Sequence, residues 1–230
     1  MPNPQLNRDE LNIQPLAARA NKLQIDKMHI DLRTIPEPLP AAGQAILEET
    51  VERIRRARAA GRPVMLTFGA HTIKNGLAPV LIRLIEKGWV THLATNGAGI
   101  IHDWEFAFQG CSSEDVRANV AVGQFGIWQE TGFNINLALV AGAYEGRGYG
   151  ESVGALIAND GIDIPTAAAL AVRTDGAAAD FREVIARFGL PAGLRSVPHP
   201  WKHYSVQAAA FRMGIPFTGH PMIVLPIRVL

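Results

Sequence analysis

One stretch limits what this chain can fold into, and it runs from Val64 to Asp103. PVMLTF and VTHLAT are short apolar runs carrying β-branched residues, and each suits a buried strand. Between them Leu77, Val80, Leu81, Leu84 and Ile85 recur at three- and four-residue spacings, which makes one apolar helical face. The spacing is that of a strand–helix–strand crossover, whose strands lie parallel. Ligands of parallel sheets bind beyond the carboxyl ends of the strands. Those ends are the small-residue segments Gly69–Gly76 and Asn96–Asp103, which the sequence reads as loops.

The remainder is consistent with a support for that unit. Apolar residues make up 48% of the 230 and charged residues 19%, so the chain can bury a large core. A net charge of +1 leaves no electrostatic footprint for nucleic acid or an acidic membrane. The lone Cys111 excludes an internal disulfide and a thiolate zinc site, and no apolar run approaches the length of a membrane span. MPNPQLNRDELNIQPL lacks the apolar core of a signal peptide, and a cytoplasmic protein is expected.

Residues 1–40 are rich in proline and show only a weak helical pattern around Leu16–Leu23. They read as an N-terminal arm lying across a core or a neighbouring subunit. Residues 41–230 read as a single α/β domain, incomplete at its C-terminal end. Ile46, Val51 and Ile54 mark an amphipathic helix that Gly61 ends. Asp103–Gln109 reads as a short helix, and Ser112 with Asp115 as the cap of the next. Phe133–Val140 fits a strand or a helix equally. Gly146, Gly148 and Gly150 read as a loop, Ala177–Phe188 as an amphipathic helix, and HYSVQAAAFRMG as another before a third strand, IPFTGH. Alternating strands and helices place the chain in the α/β class with a mainly parallel sheet.

In the first loop Ala70, His71 and Lys74 follow a strand and open a helix, where free N–H groups favour a phosphate or carboxylate. A tight strand–helix turn accounts for the same residues, and the Gly-Lys-Ser/Thr run of a phosphate loop is missing. In the second, Asn96, Gly97, Ala98 and Gly99 lack the full dinucleotide fingerprint. Two such segments side by side at one sheet edge are a stronger signal than either. His102 and Asp103 follow and are placed to face the cleft.

His71, His102 and His220 fall at or near strand ends, and a histidine-dependent hydrolase or transferase would bring them together. His92, inside a strand, reads as a packed side chain. His199 and His203 have the spacing of two helical metal ligands, but Pro200 lies between them and a polar loop with a helix cap is expected, with no metal site. Nothing near Cys111 marks a base for it. Glu145 and Glu151 flank the glycine-rich segment, as a solvated edge or as acid–base or ribose-binding groups.

GAHTIKNGLAPVLIRLIEKGWVTHLATNGAGIIHD resembles the nucleotide-binding core of deoxyhypusine synthase and its bacterial relatives, and YSVQAAAFRMGIPFTGH is similar to a later segment of that family. The resemblance covers about two thirds of the chain. It implies a Rossmann-like three-layer α/β/α sandwich that binds NAD, usually as a tetramer of paired active sites; for this chain a homo-oligomer, dimer or tetramer, is expected. It also implies transfer chemistry on a small-molecule amine through an enzyme-lysine imine. By position, Ala70, His71 and Lys74 fall on the family's first NAD loop, and Thr95, Asn96, Gly97, Ala98 and Gly99 on its second. Ile101 and His102 stand where the synthases have two glutamates, and Asp103 keeps the aspartate that follows. Gly219-His220-Pro221-Met222 replaces a Thr-Asp-Gly-Ser run.

The segment holding the family's imine-forming lysine is expected later than Leu230, where this chain stops. The expectation is therefore an NAD-binding relative with different chemistry, its catalytic groups drawn from His102, Asp103 and His220. The alternative is a non-catalytic binding or assembly module.

Overall fold

The computed structural model describes Asn7 and residues 10–220. Pro221, Met222 and the rest of PMIVLPIRVL lie outside the described residues. In chain order the described elements open with β1 (Asn21–Gln24), α1 (Ile25–Met28), α2 (Ala41–Ala59), β2 (Met65–Phe68), α3 (Ala70–Lys74) and α4 (Ala78–Glu86). They continue with β3 (His92–Asn96), α5 (Gly97–Gln109), β4 (Cys111–Glu114), α6 (Val116–Ala121), α7 (Gln129–Tyr144) and α8 (Tyr149–Ala158). Last come β5 (Gly161–Ile164), α9 (Ala167–Ala171), α10 (Gly176–Phe188), β6 (Gly193–Ser196), α11 (Val206–Arg212) and β7 (Phe217–His220).

The fold is mixed α/β, and its centre is the expected parallel unit. β2, β3 and β7 form a three-stranded sheet in that order, with β3 parallel to both neighbours. β3 is central and buried, Leu93 completely so, whereas β2 is an edge strand with no buried residue. The expectation of a buried β2 fails because its outer side has no strand partner among the described residues. On α4, Leu81 and Ile85 are buried as their spacing requires, and Val80 and Leu84 are half-buried.

The other four strands escape sequence reading and are antiparallel: β1 pairs with β4, and β5 with β6. The parallel sheet is thus β2–β3–β7 alone, and the two antiparallel pairs are separate two-stranded sheets. Leu16–Leu23 is not a helix but a 3₁₀ turn leading into β1, because pairing with β4 overrides a weak local pattern. Phe133–Val140 is helical, within α7. Ser112 lies in β4 rather than at a cap, and Asp115 caps α6 by accepting from the Ala118 N–H at 2.9 Å.

A single apolar core runs from Leu16 and Ile25 in the arm to Phe217 in β7. Helix α8 packs against α7, α11 and β7, while α5 packs against α3, β4 and α8. The close contact of α8 with β7 needs Gly150, since a Cβ there would meet the Phe217 backbone oxygen at 2.4 Å. Helix α2 has the expected amphipathic pattern yet buries no residue, and Ile46 is 67% exposed.

The arm lies across the core of this chain, into which Leu16 and Ile25 are packed. Arg19, within it, is buried and makes a two-pronged contact to the buried Glu105 of α5, at 2.8 and 2.6 Å. Replacing one member of a buried pair strands the other charge, which costs about 3–5 kcal/mol. Arg19→Met is therefore expected to lower urea-unfolding stability by about that amount. A loss below about 1 kcal/mol would show that the arm is not part of the cooperative core.

Candidate functional site

The carboxyl edge of β2–β3–β7 is where the expected site residues lie. Phe68 pairs with Thr95, and Asn96 with His220, so the three strand ends are level. Thr95 Oγ1 donates to the Phe68 carbonyl at 2.8 Å and ties two of them. A Cβ built on Gly69 would stand 4.0 Å from Asn96 Nδ2, which places the starts of the two segments side by side.

Neither segment is a loop. Ala70, His71 and Lys74 form α3, with Gly69 at its N-cap. Gly97, Ala98 and Gly99 are the first turn of α5, and Asn96 caps it by accepting from the Gly99 N–H at 2.9 Å. Asp103–Gln109 is the second half of that helix. Glycine at 99 has a packing reason of its own: a Cβ would sit 2.2 Å from Thr95 Oγ1. Ala98 is half-buried and Gly97 buried, so Ala98 is the more accessible of the first two helix positions.

The sequence-derived catalytic residues do not converge. Asp103 is buried and receives hydrogen bonds from Ser205 Oγ, Gln207 Nε2 and the N–H groups of Val206 and Gln207. It therefore caps α11 instead of facing a cleft. Burial pushes its carboxyl pKa up, against the pull of these hydrogen bonds. His220 is exposed on β7, 3.0 Å from Thr218 Oγ1, which also contacts His92 Nε2 at 3.2 Å.

His102 belongs to a different and richer arrangement. Its Nδ1 lies 2.7 Å from Ser112 Oγ, and Ser112 donates to Glu105 Oε2 at 2.6 Å. Glu105 also accepts from Thr131 Oγ1 at 3.1 Å and from both prongs of Arg19. Burial first, and the cations Lys74 and Arg19 with His71 after it, lower the His102 pKa to about 4; Glu105 opposes them. At neutral pH the imidazole is uncharged. Beside this group a cleft of about 490 Å³ is lined by Lys22, Lys74 and the run Ser113–Arg117. Lys22 is paired with Asp115 at 2.7 Å, and Lys74 links the cleft to the surroundings of His102. Ser113, in its wall, holds φ 70°, a strained conformation for a residue with a side chain.

Glu105, Ser112, Arg19 and Thr131 are the site residues that sequence reasoning passes over. Only His102 with Glu105 left a signal, three apart on one helical face. The other expectations resolve structurally. Glu151 accepts from the Gly148 N–H at α8's start, and Glu145 pairs with Arg147, so Gly148–Gly150 is a cap and first turn. Burial pushes the Cys111 thiol up, away from a thiolate. Among the described residues no group of three or more His, Cys, Asp or Glu is placed to hold a metal, and no helix is long and apolar enough to cross a membrane.

No family model matches this chain, and no curated protein matches it.

His199 lies in a loop after β6, as expected, but its side chain is buried in apolar surroundings. It is 2% exposed, set edge-on to Trp104 and Phe108, and neither ring nitrogen has a hydrogen-bond partner. Burial lowers its pKa to about 4, as it does for His29, with the Asp160 carboxylate opposing at His199 and His203 adding to the shift at His29. An unfolded histidine titrates near 6.5, so below that pH the unfolded chain takes up protons that these three folded histidines refuse until about pH 4. Their contribution to stability is whole above pH 6.5 and is lost as the pH falls toward 4; the raised Asp103 pulls the other way at the acid end. His199→Phe keeps the ring contacts and removes one titration. Its melting temperature at pH 7.5 is expected to match or exceed wild type, with a shallower decline on acidification; equal declines would show that His199 does not titrate between the two states.

Proposed function

We propose that this protein is a deoxyhypusine synthase-like NAD-binding protein on a Rossmann-like α/β/α scaffold, with transfer chemistry on a small amine at the carboxyl edge of the central sheet. The observation that carries this is the alignment of the β2 and β3 ends, with Gly69 and Asn96 side by side and a helix starting directly from each. The N-terminal end of α5, where Asn96 already accepts from the Gly99 N–H, favours a phosphate group at its remaining first-turn amides, and Lys74 adds positive charge nearby. Of the expected cofactor residues, Ala70, His71, Lys74, Asn96 and Ala98 retain accessible surface, while Thr95, Gly97 and Gly99 shape the turn from inside.

Isothermal titration with NAD and NADH tests the reading. Ala98→Asp sets a carboxylate in the first turn of α5, where it suits the helix dipole yet repels a dinucleotide phosphate. Affinity is expected to fall at least about tenfold while the melting temperature holds. No heat with either nucleotide would overturn the cofactor and leave a non-catalytic binding module.

The same reading includes self-association. Met65 on the edge strand and Ile46, Leu47 and Val51 on α2 are exposed apolar groups, the kind of surface that association covers. Light scattering coupled to size-exclusion chromatography is expected to show a dimer or tetramer, and a clean monomer would count against it.

A further inference from the structure

Glu105 accepts four hydrogen bonds, two on each carboxylate oxygen. An ionised carboxylate has no proton to give, and Arg19, Thr131 and Ser112 fill its acceptor positions. The hydroxyl of Ser112 has one proton, and at 2.6 Å that proton points to Glu105. Toward His102, Ser112 then offers only a lone pair, so the 2.7 Å contact requires His102 Nδ1 to be the donor. A neutral imidazole carries one N–H. Nε2, on the far side of the ring, is left with a bare lone pair and makes no hydrogen bond among the described residues.

We infer that Ser112 and Glu105 are positioning residues that hold His102 in the Nδ1–H tautomer, and that His102 Nε2 is the proton acceptor of the site. The step is a single proton transfer from an N–H or O–H group of the substrate to Nε2. The donor keeps the electron pair, the imidazole becomes imidazolium, and Ser112 and Glu105 keep the protons and charge they have. The new positive charge lies one hydroxyl away from the Glu105 carboxylate, which favours it; burial above all, then Lys74, Arg19 and His71, disfavour it and help return the proton. Ser112 is fully buried, so water does not compete for the contact, and the packing of α5 on both β4 and α3 fixes the ring between its partners. The inference rests on the proposed site for where a substrate lies, but the tautomer is a property of the protein alone.

Long-range proton–nitrogen NMR on ¹⁵N-labelled protein at pH 7.5 reads the tautomer directly, with the His102 signals assigned by their loss in His102→Gln. Wild type is expected to show Nδ1 protonated and Nε2 unprotonated. Ser112→Ala removes the acceptor and is expected to shift the ring to a population carrying Nε2–H, whereas Thr131→Ala, which leaves the Ser112 bridge in place, retains the wild-type pattern. Nε2–H in the wild-type protein overturns the inference, and this measurement stands even where a variant does not fold. A Ser112→Ala spectrum identical to wild type overturns the positioning role. A wild-type Nδ1–H ring in a protein that binds neither NAD nor NADH supports the relay while overturning the cofactor reading, so the two failures are distinguishable.

Discussion

The Glu105 carboxylate is the point on which four parts of the chain depend. It sits on α5, its guanidinium partner comes from the N-terminal arm, and its hydroxyl donors come from β4 and α7. A carboxylate taken out of water loses several kcal/mol of hydration, and only a nearly complete set of donors offsets that. Here every donor comes from a different segment. The carboxylate therefore acts as a constraint on register and docking more than as a source of net stability. If β4 slipped by one residue, Ser112 would turn to the other face and leave both Glu105 and His102 short of a partner.

The same hub connects architecture to chemistry. His102 is one helical turn before Glu105 on α5, and Ser112 reaches both because β4 follows directly after α5 and its cap, Gly110. A histidine whose tautomer is set by a buried hydroxyl and a fixed carboxylate is prepared for proton transfer at the opposite nitrogen. Asp103, its neighbour in sequence, projects from the helix in another direction and spends all its capacity on the start of α11. Adjacent residues on one helix thus serve separate purposes.

The glycines at the sheet edge carry two meanings at once. Gly99 is required by the approach of α5 to Thr95 whether or not anything binds there, and Gly219 is required by Ile100 and Tyr149 in the same sense. Tight seating of helices on strand ends also brings helix amides to the edge of the sheet, which is the condition for anion binding. Packing and binding call for the same small residues, so a glycine-rich pattern alone does not separate them.

The sequence by itself determined the local skeleton. The periodicity of Leu77–Ile85, the β-branched runs on either side and the stop at Gly189 each follow from interactions within a few residues, and each element formed where those patterns lay. The placement of Ala70–Lys74 and Asn96–Gly99 at one edge follows from the crossover in the same way, although their helical state was hidden by small residues that serve turns and helix starts alike. The rest belongs to tertiary structure. β1 and β4 become strands only by pairing with each other across the chain, and α2 shows an apolar stripe that its surroundings leave open. The site shows the divide most clearly: His102 is visible in the sequence, but Arg19, Ser112 and Thr131 become its supports only when the core closes. A buried carboxylate selects its donors by distance in space, and distance along the chain carries no trace of that choice.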